Sequence, residues 1–144
     1  MVKIYFAASI RGGRVDEGIY ARIRELLLMH GELAHGETGS IEEVLAYDAR
    51  LGSDKAIYES DIMRIKESDV LVAEVSVPSL GVGYEIAFAE KLGKKILCLY
   101  KGNNGGRLSA MISGNPNVVL LEYDGENDLE EKIKEFFQVV LNLV

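Results

Sequence analysis

Two nearly uninterrupted apolar runs, "VLVAEV" at 70–75 and "KILCLY" at 95–100, constrain the fold of this chain more than any other feature. Neither run alternates apolar with polar residues, so the strands that they form must be buried on both faces. Stretches with helical periodicity separate these runs from each other and from shorter strand-like segments. This alternation predicts a parallel sheet with helices covering both of its faces.

Ten elements follow from the same periodicities. The predicted strands are Lys3–Ala8, a short segment around Leu33 and Ala34, Val70–Val75, Lys95–Tyr100 and Asn117–Glu122. The predicted helices are Arg14–His30, Asp48–Glu67, Leu80–Leu92, a short one from Leu108, and Asp128–Leu143. We expect residues 1–144 to form one α/β domain, a doubly wound, flavodoxin-like or Rossmann-like sheet of about five parallel strands.

Composition limits the classes of partner. The formal charge of −7 disfavours a nucleic acid polymer, which needs clustered cations, but permits a single nucleotide. The single cysteine, Cys98, excludes an internal disulfide and a Cys-based zinc site, and its apolar surroundings predict a buried side chain. "MVKIYFAAS" passes directly into a strand, and no apolar run approaches the roughly 20 residues that span a bilayer. We expect a cytoplasmic protein without a membrane partner, a metal or a cofactor.

Three loops should meet at one edge of the sheet. Open parallel sheets bind ligands at the carboxyl ends of their strands, where the strand order reverses. "ASIRGGR" follows the first strand, "SVPSLGVGYE" follows "VLVAEV", and "KGNNGGRLSAM" follows "KILCLY". The sequence therefore places its candidate ligand-binding residues on one rim.

The first two loops have features of an anion site. Ser9, Arg11 and Gly12 in "SIRGGR" offer a hydroxyl, a cation and close backbone approach before a helix. Taken alone, a Gly-Gly pair after a strand is equally consistent with a simple turn. Ser79 can cap the next helix, and Gly81 permits a tight turn there. The chain has no Walker A sequence, and "GVGYEI" lacks the third glycine of a dinucleotide site, so a Rossmann cofactor is not expected.

Two acidic residues stand in unusual places. Glu85 is the only charged residue between Leu80 and Ala89, which favours a carboxylate held in a cleft over an acid that merely complements the helix dipole. Asp61 falls inside an apolar helical stripe, about 40° from Ile57 and from Ile65. Such a residue is either a general acid or a structural aspartate tied to a backbone amide or to Arg64. Periodicity alone does not separate the two.

Tyr5 lies in the first strand, two residues before the rim. Most strand tyrosines belong to the core, and the Tyr5 hydroxyl would be functional only if it pointed at a reacting carboxylate. His30 and His35 do not stand at metal-ligand spacing from a cysteine or a pair of carboxylates. The charged residues in "GENDLEEKIKEF" are most simply a solvated helix face.

Several motifs, in order along the chain, resemble a known family. "YFAASIRGGR", "YESDI", "SDVLVAEVSVPSLGVGYE", "KILCLY" and "GRLSAMISG" are similar to the Rcl-like 2′-deoxynucleoside 5′-monophosphate N-glycosidases of the nucleoside 2-deoxyribosyltransferase superfamily. The resemblance runs nearly from end to end. It implies hydrolysis of a deoxynucleoside monophosphate to a free base and 2-deoxyribose 5-phosphate.

The resemblance also implies roles for individual residues. Glu85 would be the nucleophile, Asp61 the acid that assists departure of the base, and Tyr5 the residue that orients the nucleophile. Ser109 would reach across a homodimer interface into the pocket of the neighbouring chain. The substrate and its 5′-phosphate would be held by Ser9, Ile10, Arg11, Gly12, Tyr20, Ser79, Gly81, Ser109, Ala110 and Met111.

One segment departs from the family pattern. Where the family usually has a Thr-Glu-His-like stretch, this chain reads "ELAHGETGS", in which His35 or Glu37 could substitute. If Glu85 bonds covalently to the sugar, the two carboxyl groups should be about 5 Å apart, the spacing of retaining glycosidases.

The alternatives to this hydrolase function are a deoxyribosyl transferase, a nucleotide sensor without catalysis and a ribonucleotide-specific enzyme.

Overall fold

The structure is a computed structural model that describes residues 1–9, 17–35, 41–102 and 107–139. Five strands form one sheet: β1 Lys3–Ala7, β2 Glu32–Leu33, β3 Val70–Glu74, β4 Lys95–Lys101 and β5 Val119–Tyr123. Six helices connect or follow them: α1 Glu17–Leu28, α2 Ile41–Leu51, α3 Asp54–Glu67, α4 Leu80–Lys91, α5 Ala110–Ser113 and α6 Glu126–Val139. None of the helices in these ranges is both long and apolar enough to cross a bilayer.

The sheet has the order β2-β1-β3-β4-β5, and each described pair of neighbours is parallel. This is the flavodoxin-like order, in which successive strands extend to one side of β1 and then to the other. The reversal falls between β1 and β3, where Tyr5 pairs with Leu71. The predicted fold is confirmed, and its ligand crevice belongs above the carboxyl ends of these two strands.

The two faces of the sheet carry separate apolar layers. On one face, residues of α1 and α6 such as Ile23 and Phe136 pack against Val72. On the other, residues of α3 and α4 such as Ile65 and Ile86 pack with Tyr5, Leu71 and the buried Cys98. Because the side chains of a strand alternate between faces, Tyr5 points toward the two helices that carry the candidate acids.

The predicted helix Asp48–Glu67 is wrong as a single element. The chain forms two helices there, because Gly52 has a positive φ of 79° that ends α2. Ser53 then caps α3 by accepting a hydrogen bond from the Ala56 amide at 3.1 Å. The remaining helices and strands lie where they were predicted, within a few residues at their ends, although residues 14–16 and 140–143 fall outside the described ranges.

Gly31, between α1 and β2, lies very close to the backbone of Val2. A Cβ atom at Gly31 would fall well inside van der Waals distance of the Val2 carbonyl oxygen, whereas one at Gly83 in α4 would meet nothing within 4 Å. We expect Gly31→Ala to destabilise the fold by about 1–3 kcal/mol through overpacking. Gly83→Ala should stabilise it by about 0.5–1 kcal/mol, because glycine is unfavourable within a helix.

Urea unfolding measures both effects as shifts of the midpoint at constant slope. A Gly31→Ala midpoint equal to that of the wild type would show that β2 does not dock against β1 as described.

Candidate active site

A cavity of about 660 Å³ opens between β1 and the helices α3 and α4. It lies at the carboxyl ends of β1 and β3, where the strand order predicts a ligand. Six of the predicted site residues line it: Tyr5, Tyr20, Asp61, Ser79, Gly81 and Glu85. The fold thus brings together residues that are up to 80 positions apart along the chain.

Tyr5 and Glu85 form the centre of this cavity. Tyr5 is 2% exposed, and its hydroxyl donates a short hydrogen bond to Oε2 of Glu85. Burial and the neighbouring Glu85 carboxylate raise the pKa of Tyr5, so the phenol stays protonated and acts as a donor. Burial also raises the pKa of Glu85 to about 7, while the hydrogen bond from Tyr5 opposes this shift. The Tyr5 hydroxyl therefore meets the condition set for a functional role, since it points at a carboxylate in the cavity.

Asp61 faces the same cavity from α3. Burial and the like charge of Asp48 raise the pKa of Asp61 to about 6, and Arg64 opposes the shift. The Arg64 guanidinium lies 3.8 Å from Oδ1 of Asp61, so the predicted pairing with Arg64 exists but is loose. Asp61 thus has features of both a structural aspartate and a general acid. It has Arg64 as a partner, and it lines the cavity with a carboxyl group whose pKa is raised.

The two raised pKa values bear on the protonation of the carboxyl pair. The pKa of Asp61 is about 6, and that of Glu85, which Asp61 helps to raise, is about 7, so the two carboxyls share about one proton when the pH lies between these values. In the unliganded protein this proton favours Glu85. An arrangement with one carboxylate and one carboxylic acid suits chemistry that needs a nucleophile beside an acid.

We expect Tyr5→Phe to shift the alkaline limb of the kcat/KM profile to higher pH. The hydrogen bond from Tyr5 lowers the pKa of Glu85, so its loss raises that pKa; because Glu85 has the higher pKa of the pair, the pair then keeps its one proton to higher pH. The measurement is the activity that the sequence resemblance implies, base release from a deoxynucleotide, between pH 4 and 9.

Tyr123→Phe is the matched control, because Tyr123 is equally buried and donates to Glu74 on the opposite face of the sheet. Its alkaline limb should stay at the wild-type position. Coincident limbs for Tyr5→Phe and wild type would contradict the assigned contact.

Only some of the residues predicted to bind the 5′-phosphate lie in the described part of the chain. Ser9 is 1% exposed, and its Oγ has no hydrogen-bond partner among the described residues, so a buried hydroxyl is available at the end of β1. The Ser79 side chain caps α4 by accepting from the Val82 amide at 3.3 Å, as predicted. Gly81 does not form a tight turn but lies in the first turn of α4. Ile10, Arg11 and Gly12 lie outside the described residues.

Ser109, Ala110 and Met111 do not line this cavity in their own chain. They form the exposed start of α5, where the Ser109 side chain accepts a hydrogen bond from the Met111 amide at 3.2 Å. Met111 is 80% exposed. The geometry of one chain thus separates these residues from the carboxylate pair.

Sequence reasoning assigned no definite role to several titratable residues that line the cavity, among them Arg24, His35 and Asp48. Arg24 could have been found, because it follows Tyr20 by one helical turn on the buried face of α1 and is itself 8% exposed. His35 was noted only as a substitute for a family residue, and Glu37 lies outside the described part. Within that part, no cluster of His, Cys, Asp or Glu side chains could hold a metal ion.

Comparison with known proteins identifies the fold family. The family model of nucleoside 2-deoxyribosyltransferase matches residues 4–141. The solved structure of the CMP N-glycosidase of Clostridium botulinum superposes with a TM-score of 0.63 and covers 92% of this chain and 98% of that one. At 24% sequence identity this similarity concerns the fold.

Curated relatives are more similar in sequence. A Nematostella vectensis protein, named as a candidate 2′-deoxynucleoside 5′-phosphate N-hydrolase, is 44% identical over 94% of this chain and 93% of its own length. The 5-hydroxymethyl-dUMP N-hydrolase of Rattus norvegicus is 39% identical over 96% of this chain and 86% of that protein. The enzyme of the same name from Esox lucius is 41% identical over 94% and 95% of the two chains. The chain therefore belongs to the nucleoside 2-deoxyribosyltransferase family.

Proposed function

We propose that this protein is a cytoplasmic hydrolase that cleaves the N-glycosidic bond of 2′-deoxynucleoside 5′-monophosphates. The products are a free nucleobase and 2-deoxyribose 5-phosphate. The observation that carries the proposal is the Tyr5–Glu85 hydrogen bond in a cavity that also contains Asp61. The relatives named as N-hydrolases of deoxynucleotides, at about two-fifths identity, support the same reaction class.

In the first step, the Glu85 carboxylate attacks C1′ of the sugar as the bond from C1′ to the base nitrogen breaks. The electron pair of that bond goes to the base, and Asp61 delivers the proton that neutralises it. Positive charge develops on the sugar beside Glu85 and favours its ionised form, so the proton shared by the pair belongs on Asp61 at this stage. Tyr5 donates to the Glu85 oxygen and holds the carboxylate in place.

In the second step, water attacks C1′ of the glycosyl ester. Asp61, now ionised, accepts a proton from this water, and the ester bond breaks to return the Glu85 carboxylate. Two displacements at one carbon retain the anomeric configuration. We keep the prediction that the two carboxyl groups approach the retaining separation of about 5 Å when substrate is bound.

The 5′-phosphate supplies binding energy remote from the reacting carbon. The buried Ser9 hydroxyl and the amino end of α4, which begins after Ser79, offer donors to a phosphate, and the predicted site extends to Ile10, Arg11 and Gly12. Such remote contacts position the sugar against Glu85 and can raise kcat as well as lower KM. A 2-deoxy sugar forms a cation more readily because it lacks an electron-withdrawing hydroxyl.

A second copy of the chain completes the proposed site. Leu80 is 97% exposed and Met111 is 80% exposed, and they lie in the first turns of the helices that follow the adjacent strands β3 and β4. Both therefore lie at the carboxyl edge, where a homodimer could cover them and bring Ser109 to the neighbouring phosphate. Mixing Ser109→Ala with Glu85→Gln chains should recover activity, because one site of each mixed dimer then has both residues.

A panel of deoxy- and ribonucleoside monophosphates, scored by released base, tests the proposal. We expect release from deoxynucleoside monophosphates and little from the ribonucleotides or from deoxynucleosides without phosphate. Cleavage of deoxyguanosine but not of its 5′-monophosphate would favour a transferase acting on nucleosides. Preference for CMP over dCMP would indicate a ribonucleotide-specific enzyme, and binding without any turnover would indicate a sensor.

A further inference from the structure

Arg64 connects three aromatic or acidic groups beside the cavity. Its Nη1 lies 3.0 Å from Nδ1 of His35, and the same nitrogen lies 3.8 Å from Oδ1 of Asp61. The guanidinium carbon stands 4.5 Å from the centre of the Tyr47 ring, which adds a cation–π contact. The arginine side chain is largely buried, with 20% of its surface exposed. Its position is thus fixed from three sides.

The contact with Arg64 determines the tautomer of His35. A guanidinium is always a donor, so Nδ1 of His35 must accept, and the proton of the neutral imidazole must reside on Nε2. Burial and the neighbouring Arg64 charge lower the pKa of His35 to about 4, which agrees with a neutral ring. His35 lines the cavity and Arg64 does not, so the ring stands between the arginine and the cavity.

His35 also contacts the residue that orients the proposed nucleophile. Its ring centre lies 4.7 Å from that of Tyr5, with the planes tilted by 56°. A chain of direct contacts therefore runs from Glu85 through Tyr5, His35 and Arg64 to Asp61. Both members of the carboxyl pair are held by the ends of this chain.

We propose that His35 and Arg64 are a positioning pair that fixes the Tyr5 ring and Asp61 relative to each other. Neither residue transfers a proton or attacks the substrate. The kinetic consequence rests on the function proposed above, whereas the geometric consequence does not. Arginine suits this position because its planar group can donate to His35 while its face covers Tyr47, which a lysine ammonium cannot do.

The loose pairing of Arg64 with Asp61 is part of this positioning role. In the described part of the chain, the groups that interact electrostatically with Asp61 include Arg64 on α3, Asp48 from α2, Glu85 from α4 and Tyr5 from β1. His35 lines the same cavity. Of these, Arg64 is the cation that opposes the raised pKa of Asp61. A close bidentate pair would hold Asp61 ionised and prevent it from giving a proton to the base.

Nuclear magnetic resonance of the two imidazoles tests the geometry without substrate. The chain has only two histidines, so His30→Gln assigns the spectrum, and His30, stacked on Phe137, serves as the internal reference. We expect His35 with its proton on Nε2 from pH 5 to 8, and nuclear Overhauser contacts from its ring to Tyr5. In Arg64→Gln the His35 pKa should rise and these contacts weaken, while His30 is unchanged. A His35 proton on Nδ1 in the wild type would overturn the proposal.

Kinetics test the positioning role. We expect Arg64→Gln to lower kcat by about 10- to 100-fold with little change in KM, because a small misplacement of the reacting groups costs rate more than binding. The acidic limb of its kcat/KM profile should move to higher pH, because Asp61 has the lower pKa of the pair and a cation that lowers this pKa is gone. Arg64→Lys should restore the limb more than it restores kcat. Lys66→Gln, an exposed charge change on the same helix, should alter neither.

The outcomes separate this proposal from the proposed function. Wild-type kcat in Arg64→Gln, or a uniformly lower rate with an unmoved limb, would show that the pair is only structural. If no nucleotide is hydrolysed by the wild type, the function fails, and the imidazole spectra still decide whether Arg64 and His35 fix the Tyr5 ring.

Discussion

Glu85→Gln should abolish base release, with a loss on the order of 10⁴-fold or more in kcat, because the amide cannot form the glycosyl ester. The substitution keeps the size of the side chain and an acceptor for the Tyr5 hydroxyl, so the cavity should retain its shape. Nucleotide binding, measured by calorimetry, should therefore persist. Glu59→Gln, an exposed change on α3 whose carboxylate pairs only with exposed Lys55 among the described ion pairs, should leave release unchanged.

The same variant should be more stable than the wild type at high pH. The pKa of Glu85 is raised from 4.5 to about 7 in the folded protein, so folding favours its protonated form. The relative stability that this group contributes is present below pH 4.5 and is lost as the pH rises through 7. Urea midpoints of Glu85→Gln and wild type should thus converge near pH 4.5 and separate toward pH 8. Unchanged base release by a folded Glu85→Gln would remove Glu85 from its role.

Asp61→Asn should lower kcat by about 10²- to 10⁴-fold, the usual contribution of a general acid. Wild-type activity should fall as the pH rises above neutrality, because the carboxyl pair then loses its shared proton. An asparagine has no such proton, so the residual activity of the variant should show no alkaline limb in this range. A substrate with an activated leaving group, which departs without protonation, should recover most of the lost rate.

Asp54→Asn provides a control for the loss of a charge at the cavity, because Asp54 also lines it at the start of α3. Its profile should keep the alkaline limb, whatever its rate. An Asp61→Asn enzyme that retained this limb, or that responded to leaving-group activation no more than the wild type, would contradict the assignment of Asp61 as the acid.

The buried strands and the rim positions could be predicted because their signals are local. "VLVAEV" and "KILCLY" are apolar on both faces, which allows only a sheet covered on both sides, and Ser79 before an apolar helix is a recognisable cap. Glu85 and Asp61 were conspicuous because a lone acid interrupts an apolar helical face. Each of these inferences uses residues within about two helical turns of one another.

The remaining features depend on contacts between distant segments. The break at Gly52 and Ser53 was overlooked because the residues on both sides are equally helical. That break folds α2 back and brings Asp48 toward Asp61, which no periodicity indicates. The contact between His35 and Arg64 joins residues 29 positions apart, and the sequence around neither residue indicates it.

The exposed face of α4 was also outside local reasoning. Glu85 is the only charged residue between Leu80 and Ala89 in this helix, yet Leu80 and Tyr84 are 97% and 55% exposed. Apolar side chains that the single chain leaves uncovered are understandable if a second copy packs there, and this depends on association and not on the fold of one chain.

The stereochemistry of methanolysis tests the central claim most directly. With methanol as a competing nucleophile, attack on a Glu85 glycosyl ester at C1′ should give methyl 2-deoxyriboside 5-phosphate with the anomeric configuration of the substrate. Proton resonance spectra of products collected at early times distinguish the two anomers. Retention is the predicted result, and inversion would contradict a covalent intermediate on Glu85.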